Sequence, residues 1–169
     1  MIYLGNFKNK IKQEWIDEIL SIDGIISPRD LWGSEVPHTE DRHLESLGYR
    51  LTAEYYIVIY AGMLSFEKEI NDMIFELVPE HKELQWWVTK MGPGQFIPLH
   101  RDLRIAERQE RYWMTLTNES PGHLIMYEDE VITKYQVGDT WQLADSEGRH
   151  AAANLGSGIR IALNFGIVL

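Results

Sequence analysis

The sequence predicts an α+β fold in which N-terminal helices pack on a C-terminal β-sandwich. Apolar residues recur at helical spacing in the first half, whereas the second half shows short runs of period two separated by turn residues. About eight strands of this kind favour a double-sheet jelly roll. With 169 residues, 44% of them hydrophobic, we expect one domain, with a helical layer over 1–83 and the jelly-roll core over 84–169.

Two helices are predicted in the N-terminal half. The first covers 8–20, where apolar residues such as Trp15 recur at helical spacing. The apolar run 55–63 fits a helix or a buried strand equally well. Ser65 is expected to cap the second helix, and Pro79 to end it.

Alternating runs bounded by Gly and Pro predict the strands of the second half. The turn signals include Gly92-Pro93-Gly94, Ser120-Pro121-Gly122 and Gly156-Ser157-Gly158. The predicted strands are 85–90, 95–102, 111–118, 123–127, 131–136, 140–143, 149–154 and 159–167.

Composition and charge exclude several classes of function. The 26 acidic and 16 basic residues give a net charge of −10, which disfavours nucleic-acid binding. The absence of cysteine excludes disulfides, cysteine-ligated zinc, iron–sulfur clusters and thiol nucleophiles. No apolar run approaches the roughly 18 residues of a membrane span, and the first residues do not resemble a signal peptide. We therefore expect a cytoplasmic protein without a membrane partner.

Three residues form a candidate metal site. His100 and Asp102 stand two apart at the end of a predicted strand, so they share one face. His150 begins a later predicted strand and completes a set of two histidines and one carboxylate, which suits non-haem Fe(II) with open coordination positions. A similar spacing occurs in charged, helix-like or loop-like segments that we interpret as solvated surface: His38/Glu40, His43/Glu45 and His81/Glu83.

Arg160 is the candidate for binding an anion. It lies in the otherwise apolar run 159–168. A guanidinium in such a run is costly unless it meets a carboxylate, which arginine can bind with two parallel hydrogen bonds. The run therefore predicts a carboxylate partner for Arg160.

These residues occur in the order HxD, His, Arg, and in this respect 85–169 resembles the double-stranded β-helix of Fe(II)/2-oxoglutarate-dependent oxygenases. It is most similar to the aspartyl/asparaginyl β-hydroxylase-like branch. The matching positions are the run 111–116, Gly122-His123-Leu124, Gly138-Asp139-Thr140-Trp141, His150 with Asn154, and Arg160. The chain departs from the family at Ala162, where serine is common, and at Trp113, where a polar residue is common.

The resemblance implies a cofactor pair and a role for each site residue. Fe(II) would be bound by His100, Asp102 and His150. Arg160 would hold the distal carboxylate of 2-oxoglutarate, and Arg111 would help to position this cosubstrate. Oxidative decarboxylation to succinate, with O2 as the oxidant, would then hydroxylate the substrate, and the metal supplies the demanding chemistry.

The expected activity is hydroxylation of an amino acid, free or within a peptide or protein. One alternative is a cupin-type Fe(II) dioxygenase that uses no 2-oxoglutarate, and another is a non-catalytic jelly-roll binding module. Several features stay open: whether Trp113, Asn154 and the loop 101–108 line the site, whether His123 lies at the surface or in the core, and which oligomeric state forms.

Overall fold

The structure is a computed structural model that describes residues 1–22, 56–100, 109–143 and 148–169; of Pro98 and His100 it describes the backbone. The helices are Gln13–Ser21 (α1) and Glu67–Leu77 (α2), with 3-10 turns at Lys8–Lys10 and Ala61–Met63. The strands are Ile2–Asn6 (β1), Ile57–Tyr60 (β2), Glu83–Met91 (β3), Phe96–His100 (β4), Gln109–Thr115 (β5), His123–Tyr127 (β6), Glu130–Ile132 (β7), Asp139–Leu143 (β8), His150–Asn154 (β9) and Arg160–Val168 (β10).

The strands form two antiparallel sheets. A six-stranded sheet has the order β1-β8-β5-β10-β3-β2, and a four-stranded sheet has the order β4-β9-β6-β7. From β3 onward the chain passes back and forth between the sheets, and only β6 and β7 are consecutive strands of one sheet. This winding is that of a double-stranded β-helix, as the sequence predicted. All eight predicted strands are present, with ends shifted by a few residues.

The two helices cover the outer face of the six-stranded sheet. Alternate residues of β10, among them Leu163 and Phe165, are buried on this face together with Trp15 and Ile19 of α1. Trp15 also stacks on Phe66, which precedes α2, with ring centroids 5.3 Å apart. In the described ranges no helix is long and apolar enough to cross a membrane.

Lys90 of β3 ties α1 to this face. Its ammonium is 7% exposed and donates hydrogen bonds to the carbonyls of Ile19 at 3.1 Å, Leu20 at 3.4 Å and Ile22 at 2.5 Å. The last carbonyls of a helix lack i+4 donors within it, so a side chain that donates to them at the end of α1 is stabilising. A cation at the carboxyl end of a helix is also favoured by the helix dipole.

The N-terminal half departs from the sequence predictions at Ser65 and at β1, and it decides the run 55–63, which the sequence left open between helix and strand. The prediction that Ser65 caps α2 is wrong: Phe66 occupies the cap position, and the N–H and hydroxyl of Ser65 bind the carboxylate of Glu18. The described part of 55–63 is strand β2 followed by a 3-10 turn. Strand β1 was not predicted, because it is an edge strand whose apolar side chains are largely exposed.

A second cluster fills the space between the sheets. Met91, Trp113, Trp141 and Ala162 of the six-stranded sheet pack against Ile125 and Ala152 of the four-stranded sheet. The stacked rings of Trp113 and Trp141 have centroids 4.7 Å apart. In each sheet, we call the face that carries these residues the inner face.

Candidate functional site

His150 lies on the inner face of the four-stranded sheet. Ala152 belongs to the cluster between the sheets, and residues two apart on a strand share a face, so His150, Ala152 and Asn154 all belong to it. Tyr127 of β6 is the register partner of His150 on one side. The predicted metal ligand is thus at the inner face, four residues along β9 from Asn154.

His100 is the register partner of His150 on the other side, in β4. Partners in an antiparallel ladder share a face of the sheet, so positions 100 and 150 are neighbours on the inner face. Asp102 lies outside the described residues. Within the described ranges no three His, Asp or Glu side chains gather, and the predicted triad includes residues beyond those ranges.

The imidazole of His150 has one nitrogen engaged by the backbone. Its Nδ1 lies 3.1 Å from the carbonyl oxygen of Gly148. Since a carbonyl only accepts hydrogen bonds, Nδ1 carries the proton and Nε2 carries the lone pair. A backbone carbonyl that fixes the tautomer in this way is the usual companion of a metal-binding histidine. His150 therefore fits a metal ligand.

Arg160 is buried where β10 begins. It is 2% exposed, and its guanidinium carbon lies 5.5 Å from the centre of the Trp113 ring. Its Nη1 lies 3.5 Å from the sulfur of Met91, and its Nε has no hydrogen-bond partner. Among the residues that the structure describes, none forms an ion pair with Arg160. The predicted carboxylate partner is therefore not supplied by this part of the chain.

Sequence reasoning missed a polar pair beside Arg160. His123 and Tyr135 are 2% and 4% exposed, and Nδ1 of His123 lies 2.9 Å from the hydroxyl of Tyr135. Tyr135 also interacts electrostatically with Arg160. The sequence left open whether His123 lies at the surface or in the core, and the structure places it in the core. Tyr135 falls within the predicted strand 131–136, but the observed strand β7 ends at Ile132, and Tyr135 lies in the loop that follows.

Burial controls the charge of these groups. It lowers the pKa of His123, and the nearby positive charge of Arg160 lowers it further. It raises the pKa of Tyr135, against which the charge of Arg160 acts in the opposite direction. It lowers the pKa of Arg160, but a guanidinium remains protonated in proteins. At neutral pH the cluster therefore contains a cation, a neutral imidazole and a neutral phenol.

Asn154 holds the backbone around this cluster. It is fully buried, and its amide donates to the carbonyls of Met91 at 3.0 Å and Gly158 at 2.6 Å. Its Oδ1 accepts a hydrogen bond from the N–H of Gly156 at 3.2 Å. Of the two interpretations left open, the structure favours the one in which Asn154 fixes a loop.

Arg160, Met91, His123, Tyr135 and Asn154 define the buried end of the space between the sheets. Met91 is the register partner of Arg160, and Asn154 that of His123. The turn at Gly122 adopts φ +93°, and a Cβ there would lie 2.8 Å from the Cα of Gly156. This close approach of two loops is possible because both residues are glycine.

Among the described residues, the opposite end is polar and lies open. Glu83, Gln85, Gln109, Gly166 and Val168 line a small depression in the surface there. Arg111 lies beside it, 6% exposed, with its guanidinium carbon 5.3 Å from the centre of the Trp87 ring. A Cβ at Gly166 would come within 3.6 Å of the Arg111 side chain. This is an ordinary van der Waals distance, and the tighter neighbour of a Cβ at this position is Nε2 of Gln109, at 3.0 Å.

Arg111 and Arg160 occupy different ends of the site. Arg111 is the register partner of Gly166, six residues along β10 from Arg160. Six residues of a strand span ~20 Å. His150 lies between them, since it stands four residues from the buried end. Along the strands, the buried cation of Arg160 lies at one end, the histidine positions 100 and 150 lie in the middle, and the cation of Arg111 lies near the other end.

Other predicted residues fall into three groups. Trp113 lies on the inner face against Arg160 and lines the site, whereas Trp86 packs on the outer face. His81, interpreted as surface, has its Nδ1 2.7 Å from the carbonyl of Val78 after α2. The loop 101–108 and the pairs His38/Glu40 and His43/Glu45 lie outside the described residues.

No protein-family model and no curated protein matches this chain. A solved structure of a predicted oxalate decarboxylase from Thermotoga maritima is 19% identical over 68% of this chain and 81% of its own, with a TM-score of 0.44. An RmlC-like cupin protein from Desulfovibrio desulfuricans is 14% identical over 70% and 88%, with a TM-score of 0.44. A sugar phosphate isomerase of the cupin superfamily from Silicibacter pomeroyi is 13% identical over 52% and 52%, with a TM-score of 0.40. The second and third of these structures are described as cupins, and likeness at this level assigns no activity to the chain.

Proposed function

We propose that this chain is an Fe(II)- and 2-oxoglutarate-dependent dioxygenase that hydroxylates an amino acid, free or within a peptide or protein. The observation that carries the proposal is the buried guanidinium of Arg160. It lacks a carboxylate partner among the described residues, and a buried cation without one is costly. A dicarboxylate that enters between the sheets would supply the missing partner.

His100, Asp102 and His150 would bind the iron. The register of positions 100 and 150 supports this assignment, and so does the proton that Gly148 holds on Nδ1 of His150. When bound, iron with 2-oxoglutarate supplies the oxidative chemistry, for which two histidines and a carboxylate leave open positions.

The chain's own residues would bind and orient the reactants. Arg160 would hold the distal carboxylate at the buried end, and the indole of Trp113 would exclude water from that contact. Arg111 would attract a second carboxylate, that of the cosubstrate or of the substrate. The polar side chains of Gln85 and Gln109 at the open end suit a polar substrate.

The first experiment is an anaerobic titration of the Fe(II)-loaded protein with 2-oxoglutarate, followed in the visible spectrum. We expect a charge-transfer band that requires both iron and 2-oxoglutarate in the wild type and is lost in Arg160→Met. If iron binds and no band develops, the chain is a cupin-type dioxygenase without 2-oxoglutarate. If iron does not bind, the non-catalytic binding module is favoured.

The metal ligands are tested separately from the cosubstrate. His100→Ala, Asp102→Ala and His150→Ala should each abolish tight Fe(II) binding while the circular dichroism spectrum stays that of a folded protein. His81→Ala is the matched control, since this histidine lies at the end of α2, away from the space between the sheets. Wild-type iron binding in all three variants would refute the assignment.

A further inference from the structure

Asn164 is an amide in the middle of β10, between apolar residues. Ala162 belongs to the cluster between the sheets, so Asn164, two residues further along the strand, also lies on the inner face. Asn164 is partly exposed, whereas the residue on each side of it is buried. Its register partners are Trp87 in β3 and Trp113 in β5. A polar side chain therefore opens onto the space between the sheets, with an indole on either side.

The hydrogen bonds of Asn164 fix which end of its amide faces that space. Nδ2 donates to the hydroxyl of Thr89 at 3.2 Å and to the carbonyl of Ala162 at 3.4 Å. A carbonyl oxygen only accepts hydrogen bonds, so the amide nitrogen, and not the amide oxygen, must lie on this side. Within the described ranges, no residue donates a hydrogen bond to Oδ1. Asn164 therefore presents an acceptor to the space between the sheets.

Asn164 stands opposite the histidine positions. It is four residues from Arg160 along β10, and His150 is four residues from Asn154 along β9. Arg160 and Asn154 mark the same buried end, because the amide of Asn154 donates to the carbonyl of Met91, which is the register partner of Arg160. Asn164 and His150 thus lie at the same level on facing sheets, which pack ~10 Å apart. A ligand bound near the histidine positions would meet Asn164.

An acceptor at this place selects between the two reactants. 2-Oxoglutarate carries two carboxylates and a ketone and has no hydrogen-bond donor, so it is not the partner of Oδ1. An amino acid carries an N–H donor, at its amine when it is free and at its amide within a peptide. A site that offers a hydrogen bond discriminates strongly against a ligand that lacks the matching group, because its own polar atom is then left unpaired.

We propose that Asn164 is a specificity-determining residue, whose Oδ1 accepts a hydrogen bond from the N–H at the α-carbon of the substrate amino acid. This inference rests on the proposed function. It assigns to the six-stranded sheet the recognition of the substrate, while the four-stranded sheet carries the histidine positions.

The test compares ligands with and without this donor. The Fe(II)-loaded protein with 2-oxoglutarate is titrated under nitrogen with the common amino acids and with their N-acetyl amides, which represent a residue within a peptide. The change of the charge-transfer band reports binding, and each compound that responds is compared with its analogue that lacks the nitrogen at the α-carbon. In the wild type, the analogue should bind about 10-fold more weakly than its parent compound.

Asn164→Leu keeps the size of the side chain and removes the acceptor. It should weaken the parent compound by a similar factor and change the affinity for the analogue little, since each change removes the same hydrogen bond. Its affinities for Fe(II) and 2-oxoglutarate should stay those of the wild type. The matched control is Asn71→Leu, which removes an asparagine of α2 whose Oδ1 accepts from Nε1 of Trp86 at 2.7 Å, and it should leave the affinity for every ligand unchanged.

Equal affinity of the wild type for a parent compound and its analogue would overturn the inference, and this comparison decides even if Asn164→Leu fails to fold. Equal weakening of both compounds in Asn164→Leu would also overturn it. So would a wild type that forms the band and responds to none of the compounds. In these three cases the binding of iron and 2-oxoglutarate stands, whereas a wild type that binds iron and forms no band would overturn the proposed function as well.

Discussion

Replacing Arg160 with methionine should stabilise the ligand-free protein while it removes the response to 2-oxoglutarate. Methionine keeps an unbranched apolar chain against Trp113 and removes the charge. The usual expectation for a buried residue is the opposite, since most core substitutions destabilise. The difference arises because the guanidinium is 2% exposed and lacks a carboxylate among the described residues.

The magnitude follows from the contacts of the guanidinium. A buried donor without a partner costs about 1–3 kcal/mol, and Nε of Arg160 is such a donor. The contact with the Trp113 ring, 5.5 Å away, stabilises the buried guanidinium by about 0.5–2 kcal/mol. We therefore expect the free energy of unfolding to rise by about 1 kcal/mol, which for a chain of this length raises Tm by about 2–4 °C.

Lys90 provides the matched control, because it is a buried cation whose hydrogen bonds are made. Lys90→Met removes the donor of three hydrogen bonds to carbonyls at the end of α1 and should lower the free energy of unfolding by about 2–3 kcal/mol. Thermal and urea unfolding of the wild type and both variants, with and without 2-oxoglutarate, give the comparison. A fall in stability for Arg160→Met as large as that for Lys90→Met would refute the reasoning.

Three further predictions concern the buried end. Burial lowers the pKa of His123 below 6.5, so this side chain is protonated more readily in the unfolded chain. Stability is therefore lost as the pH falls through about 6.5. Tm should be lower at about pH 5.5 than at about pH 7.5, and His123→Asn should reduce this difference. Gly122→Ala should lower the free energy of unfolding by at least about 2 kcal/mol. Gly94 has φ +80° and open space around its Cβ position, so Gly94→Ala should show the smaller cost of backbone strain alone. Urea unfolding compares the two variants. Asn154→Ala removes a fully buried amide that makes three hydrogen bonds and should destabilise by about 2–4 kcal/mol; equal stability of this variant and the wild type in urea would contradict the role of Asn154 in holding the buried end.

The strands of the second half could be predicted because their signals are local. Alternation of apolar and polar residues and the turn at Ser120-Pro121-Gly122 each need only a few neighbouring residues. Strand β1 could not be predicted, because it pairs with β8, where Asp139, the register partner of Asn6, lies 133 residues away in sequence. The hydrogen-bond partner of Ser65, the carboxylate of Glu18, also lies far away in the sequence, so no local pattern indicates it.

The candidate site was predictable only in part. The spacing and order of His100, His150 and Arg160 predicted a metal site and an anion site. The structure brings positions 100 and 150 into register. That His123 and Tyr135 lie beside Arg160 was missed, since the predicted strands 123–127 and 131–136 do not show which side chains of distant strands meet. Only tertiary structure brings Nδ1 of His123 within 2.9 Å of the Tyr135 hydroxyl.

By itself the sequence determined the fold class, the succession of strands in the second half and the burial of Arg160. These follow from local periodicity and from the cost of burying a charge, which do not depend on knowing which strands meet. Only the tertiary structure decided which strands are neighbours, that Asn154 holds a loop, that the two arginines lie at opposite ends, and that His123 and Tyr135 stand beside Arg160. Register between distant strands is a collective result of packing both faces of the sheets, and no short stretch of the sequence contains it.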